Sequence, residues 1–597
     1  MISKMTKYSF ILLSGDKDSF LEKLGALGLV DIVRSTKPVD DATHEIMAEI
    51  ELLNGLIHGL QTTYIPEGTV PERIDMDIVR LAGGVLMRYA DDRNAISELE
   101  KEIESLRVWG SFDSTIIDKL SDAGVPLHFH VLTQKAFQED WANDYALSVI
   151  SQDKSHVYFV VAGEDNLPGE IPAPEGNEEQ KKAELAEKKE HYQKVLCSIA
   201  DVKARIPELK ELRDKAYVKL DRSLANATAV SAAEDTIATF VGYVPSDQDE
   251  VVSAALDQDG VFYIKEAATV EDRPPISLKN NKFTRMFTVL TDMYGRPEYN
   301  GFDPTPYISV FFMLFFAFCM GDAGYGIVLA GVGLLLRKAK GMASLAPLVI
   351  TLGIATTVIG VLFHTFFSMD IAQWECMAPL KSIFLPSKIA GYDGTMVLAI
   401  LVGIFHICLA LIVKTIYATK NHGFLGSLGT WGWTLLIVGG IVVGGLSLGG
   451  VLEATLTKWI IIAIGILSAL GIFFLNDLHR NPLVNVGAGL WETYNTATGL
   501  LGDVLSYLRL YALGLAGAML GFAFNDLGAK VLGDGAIVNW IFFILIVLIG
   551  HVLNMAMAAL GAFVHPLRLN FLEFFKNSGY EGGSRIYDPL KNDKKTE

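Results

Sequence analysis

The sequence is poor in cysteine, and the cysteines it has are not arranged for covalent or metal chemistry. Its 597 residues include four cysteines, with no CxxC pair and no spacing typical of a metal site. A disulfide framework needs a dense set of cysteines, and a thiolate metal site needs them close together in the sequence. We therefore predict free thiols at Cys197, Cys319, Cys376 and Cys408, and neither a metal nor another cofactor.

Basic charge and nucleotide-binding motifs are also missing. The formal net charge is -18, and an acidic chain without a basic stripe argues against nucleic acid as a partner. There is no Walker A loop, no HExxH and no DKTG-like phosphorylation motif. We therefore expect a chain that does not hydrolyse ATP itself. The N-terminal segment lacks the apolar core of a signal peptide, which predicts that the first half stays on the cytoplasmic side.

Apolar residues are abundant, and they are concentrated in the second half. Hydrophobic residues make up 51% of the chain. Residues 1–300 have the charged composition of a soluble domain, whereas apolar runs dominate from Tyr307 onward. We predict a cytoplasmic part over 1–300, a transmembrane domain over 301–580 and a cytoplasmic C-terminal tail over 581–597.

The soluble half alternates between strand-like segments and long amphipathic helices. The helical segments repeat apolar residues at spacings of three and four, with Glu and Lys around them, which is typical of coiled coils. One such seam is more often a surface helix packed on its own domain, but seams on both sides of a globular segment indicate an antiparallel hairpin. Pro207 predicts a kink or a helix start. The α/β lobes are expected near 1–40, 111–163 and 231–270, and the coiled-coil arms near 42–107 and 180–225.

The number of membrane helices depends on residues 307–336. As one helix this run would be about 45 Å long, against a hydrocarbon core of about 30 Å. Cationic residues favour the cytoplasmic side, and their clusters share one side only if this run crosses twice. We predict eight transmembrane helices, the last two long and tilted, with both termini in the cytoplasm. The cationic markers are Arg337, Lys338, Lys340, Lys414, Lys420, His479, Arg480, Lys576, Lys591, Lys594 and Lys595.

Two arginines lie in the last two apolar runs. Arg509 is in LLGDVLSYLRLYALGLAGAML, and Arg568 is in GAFVHPLRLNFLE. A guanidinium stays charged, and placing it at bilayer depth costs at least about 2.5–3.5 kcal/mol, so a functional role on an ion path is indicated. Arg568 is the weaker case, because it is nearer a helix end and could snorkel or pair with Glu573.

Polar residues share a helix face with each arginine. At 100° per residue, Asn495 and Ser506 lie on the face of Arg509, and Asn554 and His565 on the face of Arg568. Such a stripe suits a water-filled half-channel, although an asparagine alone is more often an ordinary interhelical hydrogen bond. Further residues compatible with proton relay are Glu492, Asp503, His364, His406 and His551.

Asp322 lies in the motif CMGDAGYG. The motif invites comparison with the GxGD motif of intramembrane aspartyl proteases, but its first glycine is absent and no second aspartate motif matches. We therefore interpret Asp322 as part of a polar loop or as a channel-mouth carboxylate.

The motifs SYLRLYALGLAG and HPLRLNFLEFF resemble those of subunit I, also called subunit a, of V/A-type rotary ATPases. That family carries SYLRL(Y/W)AL in its seventh helix and HxLRLxxxEF in its eighth. PISLKN, YGRPEYNGFDPTP, GDAGYG and YEGG also match, so the resemblance is strong from about Asp235 and weaker before it.

The resemblance implies a membrane stator subunit in a prokaryotic plasma membrane, with ATP chemistry on other subunits. It implies that the transmembrane domain lies in the lipid bilayer and forms two half-channels against a proteolipid ring. It also implies that the arm binds coiled-coil peripheral-stalk subunits, and that the complex contains central-stalk and ATPase subunits. Arg509 would strip the ion from ring carboxylates, with Arg568 in support. The ion-path residues so implied are Arg509, Arg568, His565, Ser506, Tyr507, Asn495, Asn554, Glu492, Asp503, Asp322 and Glu573.

The sequence departs from the family pattern in two respects. Pro566 follows His565 where many relatives have a small residue, and it removes one backbone hydrogen bond. The faces that often carry extra carboxylates in proton-pumping relatives have Asn495, Gly517 and Asn554 here, which leaves H⁺ and Na⁺ both open.

The alternative function is a stand-alone secondary transporter with a cytoplasmic regulatory domain, which predicts internal repeats with matching broken helices. A pure scaffold would leave Arg509 unexplained.

Overall fold

The computed structural model describes residues 2–593 with short gaps. The gaps are at 36–39, 67, 72, 111–113, 139, 165, 174–177, 233–235, 340–341, 376–378, 380, 382–383, 390, 476–481 and 534–536. Lys340, Cys376, His479, Arg480, Lys594 and Lys595, which the sequence analysis used, lie outside the described residues.

The first lobe combines the start of the chain with residues that follow more than two hundred positions later. Its strands lie in the order β2-β8-β1-β9, with β7 on β8, and β1 pairs antiparallel with both β8 and β9. The α/β segments expected near 1–40 and 231–270 thus share one sheet and one core. Its elements are β1 Met5–Leu13, α1 Lys17–Leu27, β2 Asp31–Ile32, β7 Val230–Ala232, β8 Ile237–Pro245, α8 Asp249–Gln258 and β9 Phe262–Ala267.

Four long helices leave this lobe and return to it. Helix α2 packs on α7, and α3 packs on α6. The pairing is antiparallel, because Thr43 lies 3.1 Å from Ser223 while Lys203 donates to the Thr63 carbonyl at 2.9 Å. Pro207 is the second residue of α7, a position that needs no backbone N–H. The helices are α2 Asp41–Thr62, α3 Ile78–Arg107, α6 Glu178–Ala204 and α7 Ile206–Asn226.

A second lobe lies at the far end of these helices. Its sheet has the order β4-β5-β3-β6, and every strand pair is antiparallel. Alternate residues of β5, Val157, Phe159 and Val161, are buried in its core, as the two-residue period of a strand requires. Its elements are α4 Ser114–Asp122, β3 Leu127–Thr133, α5 Trp141–Asp144, β4 Ala146–Gln152, β5 His156–Ala162 and β6 Glu170–Ile171.

The second half of the chain is helical and apolar. In its described residues, five helices are long and apolar enough to cross a membrane, and three apolar helices are shorter. The prediction of a mostly helical membrane protein with a sheet-containing domain is confirmed. The elements are α9 Lys282–Arg285, α10 Thr288–Tyr294, β10 Arg296–Pro297, α11 Thr305–Met320, α12 Ala323–Leu336, α13 Ala346–Leu362, β11 Thr365–Phe366, β12 Met369–Asp370, β13 Lys388–Ile389, β14 Tyr392–Asp393, α14 Gly394–Gly426, α15 Leu428–Thr434, a π-helical Leu435–Gly439, α16 Gly440–Leu448, α17 Ala454–Phe473, α18 Pro482–Leu532, α19 Ile537–Arg568, a π-helical Leu569–Phe574, α20 Phe575–Ser578 and β15 Gly582–Ser584.

Helices α12 and α13 pack unusually closely, because glycines line their contact. A Cβ at Gly360 would come within 2.1 Å of the Ala323 nitrogen, and one at Gly353 within 2.5 Å of the Ala330 nitrogen. These pairs show that the two helices are antiparallel. Small residues allow this approach where lipid supplies no hydrophobic drive between helices.

The C-terminal segment returns to the first lobe. Strand β15 pairs with β10, and the Leu590 amide donates to the Val30 carbonyl at 2.9 Å. The Leu590 side chain is fully buried in the core of the first lobe. The tail expected over 581–597 is therefore not free over its described part. We call the end of the helical half next to this lobe the inner end, and the opposite end the outer end.

Asp31 is buried where the C-terminal segment docks, and it makes this contact sensitive to pH. Burial raises the pKa of the Asp31 carboxyl to about 6, against the lowering effect of Arg585 and Arg34. The folded lobe thus holds a proton that an unfolded aspartate has lost, so its stability increases as pH falls from about 7 toward 4. This contribution of protonated Asp31 to the free energy of unfolding is on the order of 3 kcal/mol. It is lost as pH rises through about 6.

We expect the Leu590 amide to exchange hydrogen more slowly at pH 5 than at pH 7.5, after correction for intrinsic exchange rates. The window stays above pH 4 because Asp272, hydrogen-bonded to Lys7, has a pKa lowered to about 2 and acts in the opposite direction at lower pH. The matched control is Asp31→Asn, which should flatten the difference. Equal pH dependence in that variant would mean that another group is responsible.

Candidate functional site

Helices α18 and α19 pack against each other and carry the two arginines. The Arg509 side chain is half-buried, and its Nη1 atom is buried without a hydrogen-bond partner. Arg568 is exposed, and His565 lies within electrostatic reach of both arginines. In the described part of the chain, neither arginine lies within 4.0 Å of a carboxylate. Arg509 thus presents a charge that no carboxylate among the described residues neutralises.

A cluster of acids and amides lies on the inner side of Arg509. The Asp503 carboxylate accepts from Asn577 at 2.7 Å and from Lys576 at 3.4 Å. Glu573 is buried beside Ser506, and its Oε2 atom has no hydrogen-bond partner. Glu573 faces Ser506 of α18, while Arg568 is exposed and lies within electrostatic reach of Glu573. Its suggested pairing with Glu573 stays a prediction.

Two cavities flank Arg509 along α18. The inner cavity, of about 270 Å³, is lined by Glu492, Asn495 and Gly499 of α18, together with Lys414 and Lys576. The outer cavity, of about 250 Å³, is lined by Leu510, Tyr511 and Gly514 of α18, together with Asp393 and His364. Arg509 therefore lies between the α18 residues that line the inner cavity and those that line the outer cavity.

The outer part of the α18–α19 interface contains a buried polar network. His551 lies 2.7 Å from the Tyr325 hydroxyl and 2.9 Å from the Asn525 side-chain oxygen. Asn554 donates to Tyr325 at 2.9 Å and to the Gly517 carbonyl at 2.8 Å. Asn554 thus joins α19 to α12 and α18, which is the ordinary interhelical role considered for it.

Asp322 is a buried cap rather than an open carboxylate. Its oxygens accept backbone N–H bonds from Tyr325 at 3.1 Å, Phe367 at 2.9 Å and Ser368 at 2.6 Å. His364, Phe367 and Ser368 have positive φ angles of 51°, 47° and 57°, which non-glycine residues rarely adopt. Asp322 therefore caps α12 and holds the β11–β12 hairpin in a strained shape.

Pro566 lies three residues before a helical irregularity next to Arg568. A proline inside a helix removes one backbone hydrogen bond and crowds the preceding turn. The residues that follow, Leu569–Phe574, are π-helical, and Asn570 donates its side-chain amide to the Pro566 carbonyl at 2.8 Å. Single π-turns occur frequently at functional sites. This one turns Glu573 toward the protein interior.

Several residues of these sites were not identified from the sequence. Asp393, Tyr511, Lys414, Lys576, Asn577, Tyr325 and Asn525 were missed. Lys576 and Asn577 could have been found, because they follow Glu573 at helical spacings of three and four. The others come from elements distant in the sequence, and no local pattern marks them.

The fold and the site define a membrane protein with a sheet-containing arm and an unneutralised arginine between two cavities. Residues 149–369 match the family model described as "V-type ATPase 116kDa subunit family". The chain is 30% identical to the A-type ATP synthase subunit I of Methanocaldococcus jannaschii over 65% of this chain and 61% of that protein. It is 26% identical to the V-type ATP synthase subunit I of Borreliella burgdorferi over 100% of both chains. It is 25% identical to the V-type ATP synthase subunit I 1 of Treponema pallidum, over 99% of this chain and 100% of that one.

The chain is thus similar to subunit I of V-type and A-type ATP synthases from several organisms. It spans 61% of the length of the Methanocaldococcus relative and the whole length of the Borreliella relative.

Proposed function

We propose that the chain is the stator a-type subunit of a V/A-type rotary ATPase and forms the ion half-channels against a proteolipid ring. The observation that carries the proposal is Arg509, unneutralised between an inner and an outer cavity. Two cavities that end on either side of one fixed charge cannot pass an ion straight through. An ion must leave the inner cavity, travel on another molecule and enter the outer cavity, or the reverse.

Arg509 acts on the carrier in this scheme. A cation within about 4–6 Å of a carboxylate lowers its pKa by about 1–3 units. A ring carboxylate that passes Arg509 therefore releases its H⁺ or Na⁺ to one cavity and reloads from the other. Glu492 and Asn495 line the inner path with the Asp503 and Glu573 cluster, while Asp393 and Tyr511 line the outer path. Arg568 and His565 support Arg509 from α19.

The transmembrane domain has eight crossings in this proposal. Helix α11 ends at Gly321, in the left-handed conformation with φ 55°, and α12 returns alongside α13. The docked C-terminal segment also requires an even number of crossings, because its Leu590 is in the core of the first lobe. We place both termini in the cytoplasm of a prokaryotic cell. The short helices α11, α12 and α13 are accommodated by thinning of the bilayer.

The arm holds the stator in place. Its antiparallel helices and second lobe make a long lever suited to coiled-coil peripheral-stalk subunits, while other subunits supply the central stalk and the ATP chemistry.

The proposed function is tested by purification of the native protein in mild detergent. The proposal expects a small proteolipid ring and ATP-hydrolysing subunits in the same particle, and a chain that purifies alone with full transport activity would contradict it.

Cysteine labelling tests the topology. In a variant without native cysteines, Arg337→Cys and Lys420→Cys should react with a membrane-impermeant maleimide only from the cytoplasmic side. Tyr392→Cys and Val451→Cys, which are 64% and 73% exposed in the parent, should react only from the outside. Reaction of Arg337→Cys from the outside would mean that residues 307–336 cross once.

A further inference from the structure

Tyr507 packs into a closely fitted pocket on the side of α18 opposite to Arg509. We call this pocket, formed with His406 and Gly403 of α14, the Tyr507 seat. The Tyr507 side chain is fully buried, and its hydroxyl lies 2.9 Å from His406 Nδ1 on α14. One turn before His406, a Cβ at Gly403 would come within 2.3 Å of the Tyr507 ring. The glycine thus makes room for the ring, and the histidine holds its hydroxyl.

The same histidine also contacts the π-helical segment that follows α19. His406 is fully buried and stacks on Phe574, with ring centroids 4.8 Å apart and an interplanar angle of 5°. Phe311 and Phe315 of α11 close the other sides, with centroids at 4.1 Å and 5.1 Å. This aromatic enclosure separates His406 from both cavities, so the relay role considered for it from the sequence has no path here.

We propose that His406 and Gly403 are positioning residues that set the rotation of α18 and thereby aim Arg509 at the ring; this rests on the function proposed above. Residues two apart on a helix differ by about 200°, so a seat that holds Tyr507 points Arg509 to the opposite side. A rotation of 20° moves a group about 6 Å from the helix axis by about 2 Å. Misplacement by about 1 Å can lower a rate about 100-fold at a reacting centre.

The test uses the whole complex with two variants that keep an aromatic ring at each position but remove the hydrogen bond, Tyr507→Phe and His406→Phe. Each should assemble and hydrolyse ATP while transporting at least about tenfold fewer ions per ATP, since Arg509 is misplaced. The double variant should be no worse than either single one, because both remove the same bond. Gly403→Ala, which displaces the Tyr507 ring, should reproduce the loss.

Tyr417→Phe is the matched control, a tyrosine on α14 nearer its inner end, and it should transport normally. Normal transport by both Tyr507→Phe and His406→Phe, together with an inactive Arg509→Lys, would contradict the positioning role of His406 and Gly403 and leave the proposed function unchanged. Normal transport by Arg509→Lys would overturn both. A shifted pH profile of transport in His406→Phe would identify a proton carrier and contradict a positioning role. If His406→Phe does not assemble, Tyr507→Phe alone decides between these outcomes.

Discussion

Arg509→Lys is expected to abolish ATP-driven ion transport in reconstituted vesicles while leaving the complex assembled. Lysine keeps a nominal charge, but its ammonium is a flexible point donor whose pKa falls on desolvation, whereas guanidinium stays charged and presents a rigid fork. Losing one positioned electrostatic group at a reacting centre lowers rates by about 100-fold to 1000-fold. We expect a loss of at least about 100-fold in transport, measured as the ion gradient formed per ATP hydrolysed.

Arg568→Lys is the matched control for that substitution. Arg568 is exposed and nearer the inner end, so its replacement should lower transport less than Arg509→Lys does. A structural arginine would give the opposite result, with poor assembly and normal transport by whatever assembles. That pattern for Arg509 would remove it from the ion path.

Asp322→Ala is expected to be the most destabilising single substitution at the outer end. It leaves one buried and two partly buried backbone N–H groups without an acceptor, and each buried orphaned donor costs about 1–3 kcal/mol. The β11–β12 hairpin, which is strained at three positions, would then be released. We expect a melting temperature at least about 10 °C lower for the purified complex, and a lower yield of assembled particles.

Asp322→Asn separates the cap from a channel function. The amide oxygen can replace Oδ1, which accepts from Tyr325 and Phe367, while the bond from Ser368 to Oδ2 is lost. Its melting temperature should therefore fall less than that of Asp322→Ala. A fully stable Asp322→Ala complex that no longer transports ions would restore the channel-mouth interpretation made from the sequence.

Local features of the sequence were readable because their physics is local. A charge inside an apolar run is informative wherever it occurs, so Arg509 could be singled out without a structure. Pro207 likewise marked the start of α7, because a proline near a helix N-terminus loses nothing. Cys319 of α11 and the glycines of α12 and α13, by contrast, carry no pattern that distinguishes one crossing from two.

Features that depend on distant residues could not be predicted. The capping role of Asp322, interpreted from the sequence as part of a polar loop or a channel-mouth carboxylate, depends on two donors, Phe367 and Ser368, that lie 45 and 46 positions later. The docking of Leu590 against Val30 joins the two ends of the chain. The orientation of Glu573 toward Ser506 of α18 likewise occurs in a π-helical segment that no local pattern in the sequence marks.

The most direct test of the central claim, that the Arg509 face of α18 lies against the ring, is disulfide cross-linking in the assembled complex. Ala516→Cys lies two turns beyond Arg509 on the same face. It should form a disulfide with a ring cysteine placed about 10 Å from the ring carboxylate toward the outer end, and stop ATP hydrolysis until it is reduced. Ile354→Cys on α13, which is 56% exposed in the parent, should not cross-link. Cross-linking from Ile354→Cys but not from Ala516→Cys would contradict the account.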